Sequence, residues 1–196
     1  MVSASDKSPK LTPTEYFAWE EQQLCRHEYI NGEVYAMAGA SEPHNLIVGN
    51  VIREFGNRLK GRRCRIYPSD MRLQVSETGL FTYPDVMVVC DTPVFNDDKV
   101  DTLLNPNIII EVLSPTTEAN DRGWKWAHYR QLESLVEYIL IPQEAYRIEQ
   151  FVRQQDGAWV FREYQGLSEA LTVYSPNCEI ALADIYYLVE LGQTRQ

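Results

Sequence analysis

The sequence predicts an α/β fold in which helices flank a mixed central β-sheet. Most of the predicted elements are short strands, and helical patterns occur early, in the middle and near the end of the chain. Two apolar runs, at residues 83–89 and 108–113, are typical of buried strands. The length of 196 residues favours one domain. We expect residues 1–10 to be a disordered lead and residues 11–192 to form that domain.

The first elements have clear boundary signals. Thr12-Pro13-Thr14-Glu15 combines a threonine N-cap, an early proline and a glutamate, which predicts a helix to about residue 24. Asn31-Gly32 between strand-like runs at 26–30 and 33–38 predicts a hairpin. Ser41 is the predicted cap of a second helix. The inward face of that helix has helical spacing and comprises His44, Ile47, Val48, Val51, Ile52, Phe55 and Leu59.

The remaining elements follow from hydrophobic patterning and turn residues. Predicted strands cover 62–67, 71–75, 81–89, 107–113, 136–141, 146–153 and 159–164. Predicted helices cover 121–132 and 182–191, and residues 91–106 read as an irregular acidic loop.

Charge and composition restrict the function. The chain has 28 acidic and 18 basic residues, a formal net charge of −10, whereas nucleic-acid-binding proteins usually carry a basic footprint. The densest basic group comprises Arg53, Arg58, Lys60, Arg62, Arg63 and Arg65. Four cysteines without a C-x-x-C pair, a polar start and no membrane-length apolar run predict a reduced, cytoplasmic protein. Spacing alone leaves cysteine pairing open.

Two acids lie within the apolar runs. Asp85 shares its strand face with Met87 and Val89, and Glu111 shares its face with neighbouring apolar residues. A buried carboxylate is costly unless it is paired, hydrogen-bonded or bound to metal, so neighbouring strands would favour a shared cation. Oxygen ligands suit Mg²⁺ or Mn²⁺. The alternative is that each acid is solvated at a strand edge or paired with an arginine.

Three further candidates are weaker on spacing alone. Lys125 shares a helix face with Asp121 and Tyr129, and its ammonium could reach a scissile phosphate or the attacking water. The alternative is a surface ion pair between Lys125 and Asp121. Glu33 reads as a solvated turn residue, and His44 as a satisfied inward histidine.

Several motifs in order resemble the Uma2 family, also called DUF820, which is abundant in cyanobacteria. They are Tyr29-Ile30-Asn31-Gly32-Glu33-Val34-Tyr35, His44, Pro84-Asp85-Val86, Glu111-Val112-Leu113-Ser114-Pro115 and Asp121-x-x-x-Lys125-x-x-x-Tyr129. The likeness runs over about residues 10–190. It implies a restriction-endonuclease-like core of the PD-(D/E)xK nuclease superfamily, with additional β-hairpins.

The resemblance also implies roles. Asp85 and Glu111 match the two motif acids, but Leu113 stands where the superfamily has lysine, and Lys125 matches a lysine that has migrated to the next helix. Mg²⁺ (or Mn²⁺) would be held by both acids and the backbone carbonyl of Val112. The resemblance further implies that Glu33 holds a second metal or positions a water, and that His44 and Tyr129 contact phosphate.

The sequence therefore predicts a metal-dependent endonuclease acting on DNA, with a homodimer and no membrane as further expectations. Two alternatives stay open: a catalytically silent interaction module that keeps the nuclease fold, and a metal-dependent hydrolase of another phosphoester. On the nuclease hypothesis, Asp85→Asn or Lys125→Ala should abolish cleavage and leave the fold intact.

Overall fold

The computed structural model describes residues 10–37, 39–96 and 101–191. The helices are α1 (Pro13–Glu20), α2 (Glu42–Leu59), a π-helical segment (Asn120–Lys125), α3 (Trp126–Tyr129) and α4 (Leu182–Ile185). The strands are β1 (His27–Ile30), β2 (Glu33–Ala36), β3 (Arg65–Pro68), β4 (Arg72–Val75), β5 (Leu80–Thr82), β6 (Val86–Val89), β7 (Thr102–Leu103), β8 (Ile108–Leu113), β9 (Glu137–Pro142), β10 (Arg147–Arg153), β11 (Trp159–Gln165), β12 (Ala170–Tyr174) and β13 (Asn177–Ala181).

The strands form a mixed six-stranded sheet, a five-stranded sheet and a separate hairpin. The six-stranded sheet has the order β11-β10-β9-β8-β6-β3, with β8 and β9 parallel and the other neighbours antiparallel. The five-stranded sheet has the order β2-β1-β5-β4-β7, and β12 pairs only with β13 among the described strands. The predicted mixed central sheet flanked by helices is confirmed.

Two apolar layers cover the two faces of the six-stranded sheet. Ile108, Ile110 and Val112 of β8 pack in one layer with α2 and α4, whereas Ile109 and Leu113 pack in the other. This second layer also contains apolar residues of β1, β4, β5 and β7, so the five-stranded sheet covers that face. Alternation along β8 therefore separates a helix side from a sheet side.

The predicted hairpin is present between β1 and β2. Asn31 and Gly32 have φ values of 51° and 90°, the left-handed pair that a two-residue type I′ turn requires. A Cβ on Gly32 would lie 2.8 Å from the Cβ of Lys10. Both the backbone conformation and the close approach therefore favour glycine at this position.

The predicted strand over 81–89 is wrong, because the chain leaves one sheet and enters the other within it. β5 ends at Thr82 and β6 begins at Val86, in different sheets. Pro84 lies in the break, where a residue without an N–H cannot donate to a strand ladder. Asp85 consequently precedes β6 at the junction between the sheets rather than lying inside a strand.

Other boundaries also differ. The first helix ends at Glu20, and the predicted helix over 121–132 is divided into the π-helical segment and the short α3. The carboxy-terminal helix covers only Leu182–Ile185, and β12 and β13 were not predicted. Residues 1–9 of the predicted disordered lead lie outside the described residues, as do 38, 97–100 and 192 from other predicted segments.

The cysteines depart from the reduced state that we predicted. Cys64 and Cys90 form a disulfide where β3 begins beside the end of β6, while Cys25 and Cys178 are free. In the part of the chain that the structure describes, no helix is both long and apolar enough to cross a membrane.

Glu137 anchors the β12–β13 hairpin to the main sheet. One of its buried carboxylate oxygens accepts the backbone N–H groups of Tyr174 and Ser175, each at 2.9 Å. We expect Glu137→Leu to lower the free energy of unfolding by about 2–4 kcal/mol, because buried donors lose their acceptor. Urea denaturation measures this change. The exposed control Glu77→Leu should change it by under about 0.5 kcal/mol, and equal losses would contradict the anchoring role.

Candidate active site

Polar side chains from both sheets meet around the β5–β6 junction, the end of β8 and the π-helical segment. Glu28 comes from β1, Asp85 from the junction and Glu111 from β8. Asp121 and Lys125 come from the π-helical segment. We call these five residues the acid–lysine cluster.

Asp85 is joined to β8 by two side-chain–backbone hydrogen bonds, one with Glu111 and one with Val112. The N–H of Asp85 donates to Glu111 Oε2 at 3.2 Å, and the N–H of Val112 donates to Asp85 Oδ2 at 2.8 Å. Glu111 is buried, while 16% of the Asp85 side chain is exposed. The predicted convergence of the two carboxylates is thus present, although Asp85 is not in a strand. The contact with Val112 uses its N–H, and its predicted role as a carbonyl ligand stays a prediction.

Lys125 lies among three carboxylates. Its Nζ is 3.1 Å from Glu28 Oε1, 3.2 Å from Glu111 Oε1 and 3.1 Å from Asp121 Oδ1. The side chain is only 10% exposed, so it is not the surface ion pair of the alternative interpretation. The helical segment that follows β8 therefore brings the Lys125 ammonium back to Glu111 of β8.

Tyr129 holds the carboxylate of Glu111 by a hydrogen bond. Its fully buried hydroxyl donates to Glu111 Oε1 at 2.8 Å. A side chain with no exposed surface is not placed to contact a phosphate, so the structure corrects the predicted contact to a positioning role. Tyr138 adds a second support, because its hydroxyl donates to the backbone carbonyl of Asp121 at 3.0 Å.

His44 reaches the cluster from the start of α2. Its Nε2 lies 3.2 Å from Asp85 Oδ2, and its buried Nδ1 has no hydrogen-bond partner among the described residues. Burial acts to lower the pKa of the imidazole, but the hydrogen bond and charge of Asp85, with the charge of Asp121, raise it overall. The inward histidine predicted from helical spacing is therefore paired with the Asp85 carboxylate.

Glu33 is not brought into these contacts. It is exposed, and its carboxylate accepts the hydroxyl of Tyr35 at 2.6 Å. Glu28, on the other strand of the same hairpin, contacts Lys125 instead and accepts a hydrogen bond from Thr82. Sequence reasoning missed Glu28, although it offered the signal used for Asp85, an acid within a strand-like run.

Burial and crowding of acids dominate the electrostatics. Desolvation raises the pKa of Glu111 to about 8, although Lys125 acts to lower it. Desolvation likewise raises the pKa of Asp121. Four carboxylates in the cluster, from Glu28, Asp85, Glu111 and Asp121, face one ammonium. A bound cation would relieve this crowding by stabilising the ionised form of Glu111.

The donor set fits a hard divalent cation. All available ligand atoms are oxygens, and buried Asp121 Oδ1 has no partner with hydrogen-bond geometry among the described residues, although Lys125 lies near it. Within residues 10–37, 39–96 and 101–191, no group of three or more His, Cys, Asp or Glu residues is arranged as a metal site. Mg²⁺ is often held by one or two carboxylates and water, so a pair of acids suffices.

The raised pKa of His44 predicts a pH effect on stability. The folded protein binds the imidazole proton more tightly than the unfolded chain, whose value is near 6.5. The stability contributed by protonated His44 is therefore complete below about pH 6.5 and is lost as the pH rises through the pKa of the imidazole in the folded protein. We expect the difference in unfolding free energy between wild type and His44→Gln, measured in chelator, to shrink above about pH 6.5. A difference that grew with pH would contradict this assignment.

Comparisons with known proteins agree with this architecture. The model of the Uma2 family, described as "Putative restriction endonuclease", matches residues 13–183. Two Synechocystis proteins, described as uncharacterized proteins slr1290 and sll1609, are 38% and 39% identical and cover 94% and 85% of this chain. These matches span 95% and 93% of the two relatives.

A solved structure shares the fold. It is a crystal structure from Anabaena variabilis, described as a putative nuclease belonging to DUF820, with a TM-score of 0.76 and 16% sequence identity. The match covers 92% of this chain and 99% of that one.

Proposed function

The chain belongs to the Uma2 family, and on that premise we propose that it is a metal-dependent endonuclease that hydrolyses phosphodiester bonds of DNA. The observation that carries this proposal is the convergence of Asp85, Glu111 and Lys125 within hydrogen-bond distances. Two carboxylates and an ammonium at one point supply the groups that metal-assisted phosphodiester hydrolysis requires.

Asp85 and Glu111 would hold Mg²⁺ or Mn²⁺. Such an ion, when bound, lowers the pKa of a coordinated water and neutralises charge that develops on the phosphate. Asp85 is suited to this role because part of its carboxylate is exposed, whereas Glu111 is fixed from behind by Tyr129.

Lys125 supplies positive charge beside the metal ligands. Its ammonium is held by Glu28, Glu111 and Asp121, so its charge is fixed beside the metal ligands, where it would stabilise charge that develops on the phosphate. His44, with 15% of its side chain exposed next to Asp85, would contact phosphate in its protonated form. Glu33 has no contact that supports its predicted role.

The basic group seen in the sequence does not surround this site. Arg53 and Arg58 are paired with Glu54 on the same helix. Arg65 is opposite Val89, at the end of β6 remote from Asp85. A bound cation is therefore the main positive charge that DNA would meet, and we infer a transient encounter with few direct phosphate contacts.

The test is incubation of the purified chain with supercoiled plasmid, single-stranded DNA and RNA, in Mg²⁺, Mn²⁺ or chelator. Metal-dependent cleavage by wild type, absent in Asp85→Asn, is expected. Binding of Mn²⁺ without cleavage of any nucleic acid would favour the silent interaction module. Hydrolysis of only a small phosphoester such as bis(p-nitrophenyl) phosphate would favour the other hydrolase class.

We also propose that two copies associate through β11. This seven-residue strand is the edge of the six-stranded sheet and exposes Val160 and Phe161. Antiparallel pairing of two such strands would satisfy the backbone N–H and C=O groups along both exposed edges.

Sedimentation velocity tests this arrangement. We expect a dimer for wild type and a monomer for Val160→Lys/Phe161→Lys, because charged side chains on an edge strand oppose pairing with a second edge. A wild-type monomer at all concentrations, or a dimer unaffected by this double substitution, would overturn it.

A further inference from the structure

A polar cavity lies away from the acid–lysine cluster. It has a volume of about 570 Å³ and is lined by Arg62, Arg63 and Arg65 together with the Cys64–Cys90 disulfide. Asp91 is the acidic residue in this lining. Three arginines against one acid make the cavity locally positive in a chain whose net charge is −10.

The disulfide closes the end of an edge strand. Arg65 of β3 is opposite Val89 of β6, so Cys64 and Cys90 form the next pair beyond the ladder. Among the described strands β3 pairs only with β6, and the N–H of Cys90 donates to Asn107 Oδ1 at 2.6 Å. The bond therefore ties a short edge strand to a position that is fixed in the sheet.

The surroundings of the two sulfurs favour exchange over a permanent cross-link. Both cysteines are half-buried rather than fully enclosed, and they line an open cavity, so an incoming sulfur has access. Positive side chains stabilise a departing thiolate and raise the local concentration of anionic reagents. Arg63 and Arg65 are exposed, and Arg62 donates to the carbonyl of Asn177.

We propose that Cys64 and Cys90 form a reversible thiol-exchange site that accepts a small anionic thiol in the arginine-lined cavity. The thiolate of that thiol bonds to one cysteine sulfur, the Cys64–Cys90 bond breaks, and its electron pair leaves on the other sulfur as a thiolate. The thiolate of a second molecule then bonds to the sulfur of the first, and the cysteine sulfur that held the first leaves as a thiolate. Two molecules of thiol become one disulfide, and the protein gains two cysteine thiols. The state of β3 thereby follows the thiol–disulfide balance around the protein.

The experiment uses the full chain carrying Cys25→Ser and Cys178→Ser, which removes the other two thiols. The rate of disulfide reduction is measured with glutathione, which is anionic, and with cysteamine, which is cationic, at equal pH and low salt. We expect the ratio of the reduction rate with glutathione to the rate with cysteamine to fall by roughly two- to fivefold in Arg63→Gln/Arg65→Gln. The control Arg26→Gln/Arg130→Gln removes the same charge from exposed arginines elsewhere and should leave the ratio unchanged.

A second measurement traps the intermediate. In Cys64→Ser on the same background, Cys90 is expected to form one mixed disulfide with oxidised glutathione, seen by intact mass. Two outcomes would overturn the proposal. One is an equal change in the rate ratio in the cavity double variant and in the control double variant. The other is a protein in which Cys64 and Cys90 stay free thiols after equilibration with oxidised glutathione. Neither depends on nuclease activity.

Discussion

Lys125→Met is expected to lower the free energy of unfolding by about 3–5 kcal/mol and to abolish metal-dependent cleavage. Methionine matches the length of the buried stem but leaves Glu28, Glu111 and Asp121 without their shared ammonium. Breaking a buried ion pair by removing one partner leaves uncompensated charge, which accounts for this size of loss. The earlier expectation that loss of this lysine spares the fold is thus revised by its burial.

Urea denaturation in chelator and plasmid cleavage measure the two effects. The control Lys60→Met removes an exposed lysine at the end of α2 and should change stability by under about 0.5 kcal/mol. Added Mn²⁺ should restore part of the stability lost in Lys125→Met, because the cluster then has a larger excess of negative charge. Wild-type cleavage by Lys125→Met would exclude a role for the lysine in the reaction.

Asp85→Asn is expected to separate activity from stability. Asparagine keeps an oxygen that can accept the N–H of Val112, and removing one charge relieves repulsion with Glu111 and Asp121. We expect stability within about 1 kcal/mol of wild type. Cleavage should fall by at least about 100-fold, since a metal ligand is worth several kcal/mol in the transition state.

Calorimetric titration of Mn²⁺ supports the same comparison, with weaker binding expected in Asp85→Asn. The matched control is Asp70→Asn, in which the altered side chain is 87% exposed and its nearest basic group, that of Arg26, is 3.6 Å away. Equal metal affinity and equal cleavage in wild type and Asp85→Asn would assign Asp85 to structure alone.

Local patterns predicted much of the site. Alternation placed Glu111 on the face of Ile109 and Leu113, and both apolar residues lie in the layer between the sheets. Helical spacing placed Lys125 with Asp121 and Tyr129, and this relation persists although the segment begins as a π-helix. Such features depend on neighbours within a few residues, which is the range in which periodicity carries information.

The missed features depend on contacts between distant segments. Glu28 enters the cluster because β1 pairs with β5 through Tyr29 and Phe81, a register that no short pattern encodes. The division of the predicted strand at Pro84 follows from competition between two sheets for its two halves. The disulfide likewise needs the register of β3 and β6, which brings together cysteines 26 positions apart.

The ion pairs of Lys125 join Glu28 of the five-stranded sheet to Glu111 of the six-stranded sheet. A chain in which only one sheet has formed therefore lacks a complete reactive centre. On the proposed function, hydrolytic activity therefore requires that both sheets are formed and docked. A partly folded chain would then be unable to cut nucleic acid.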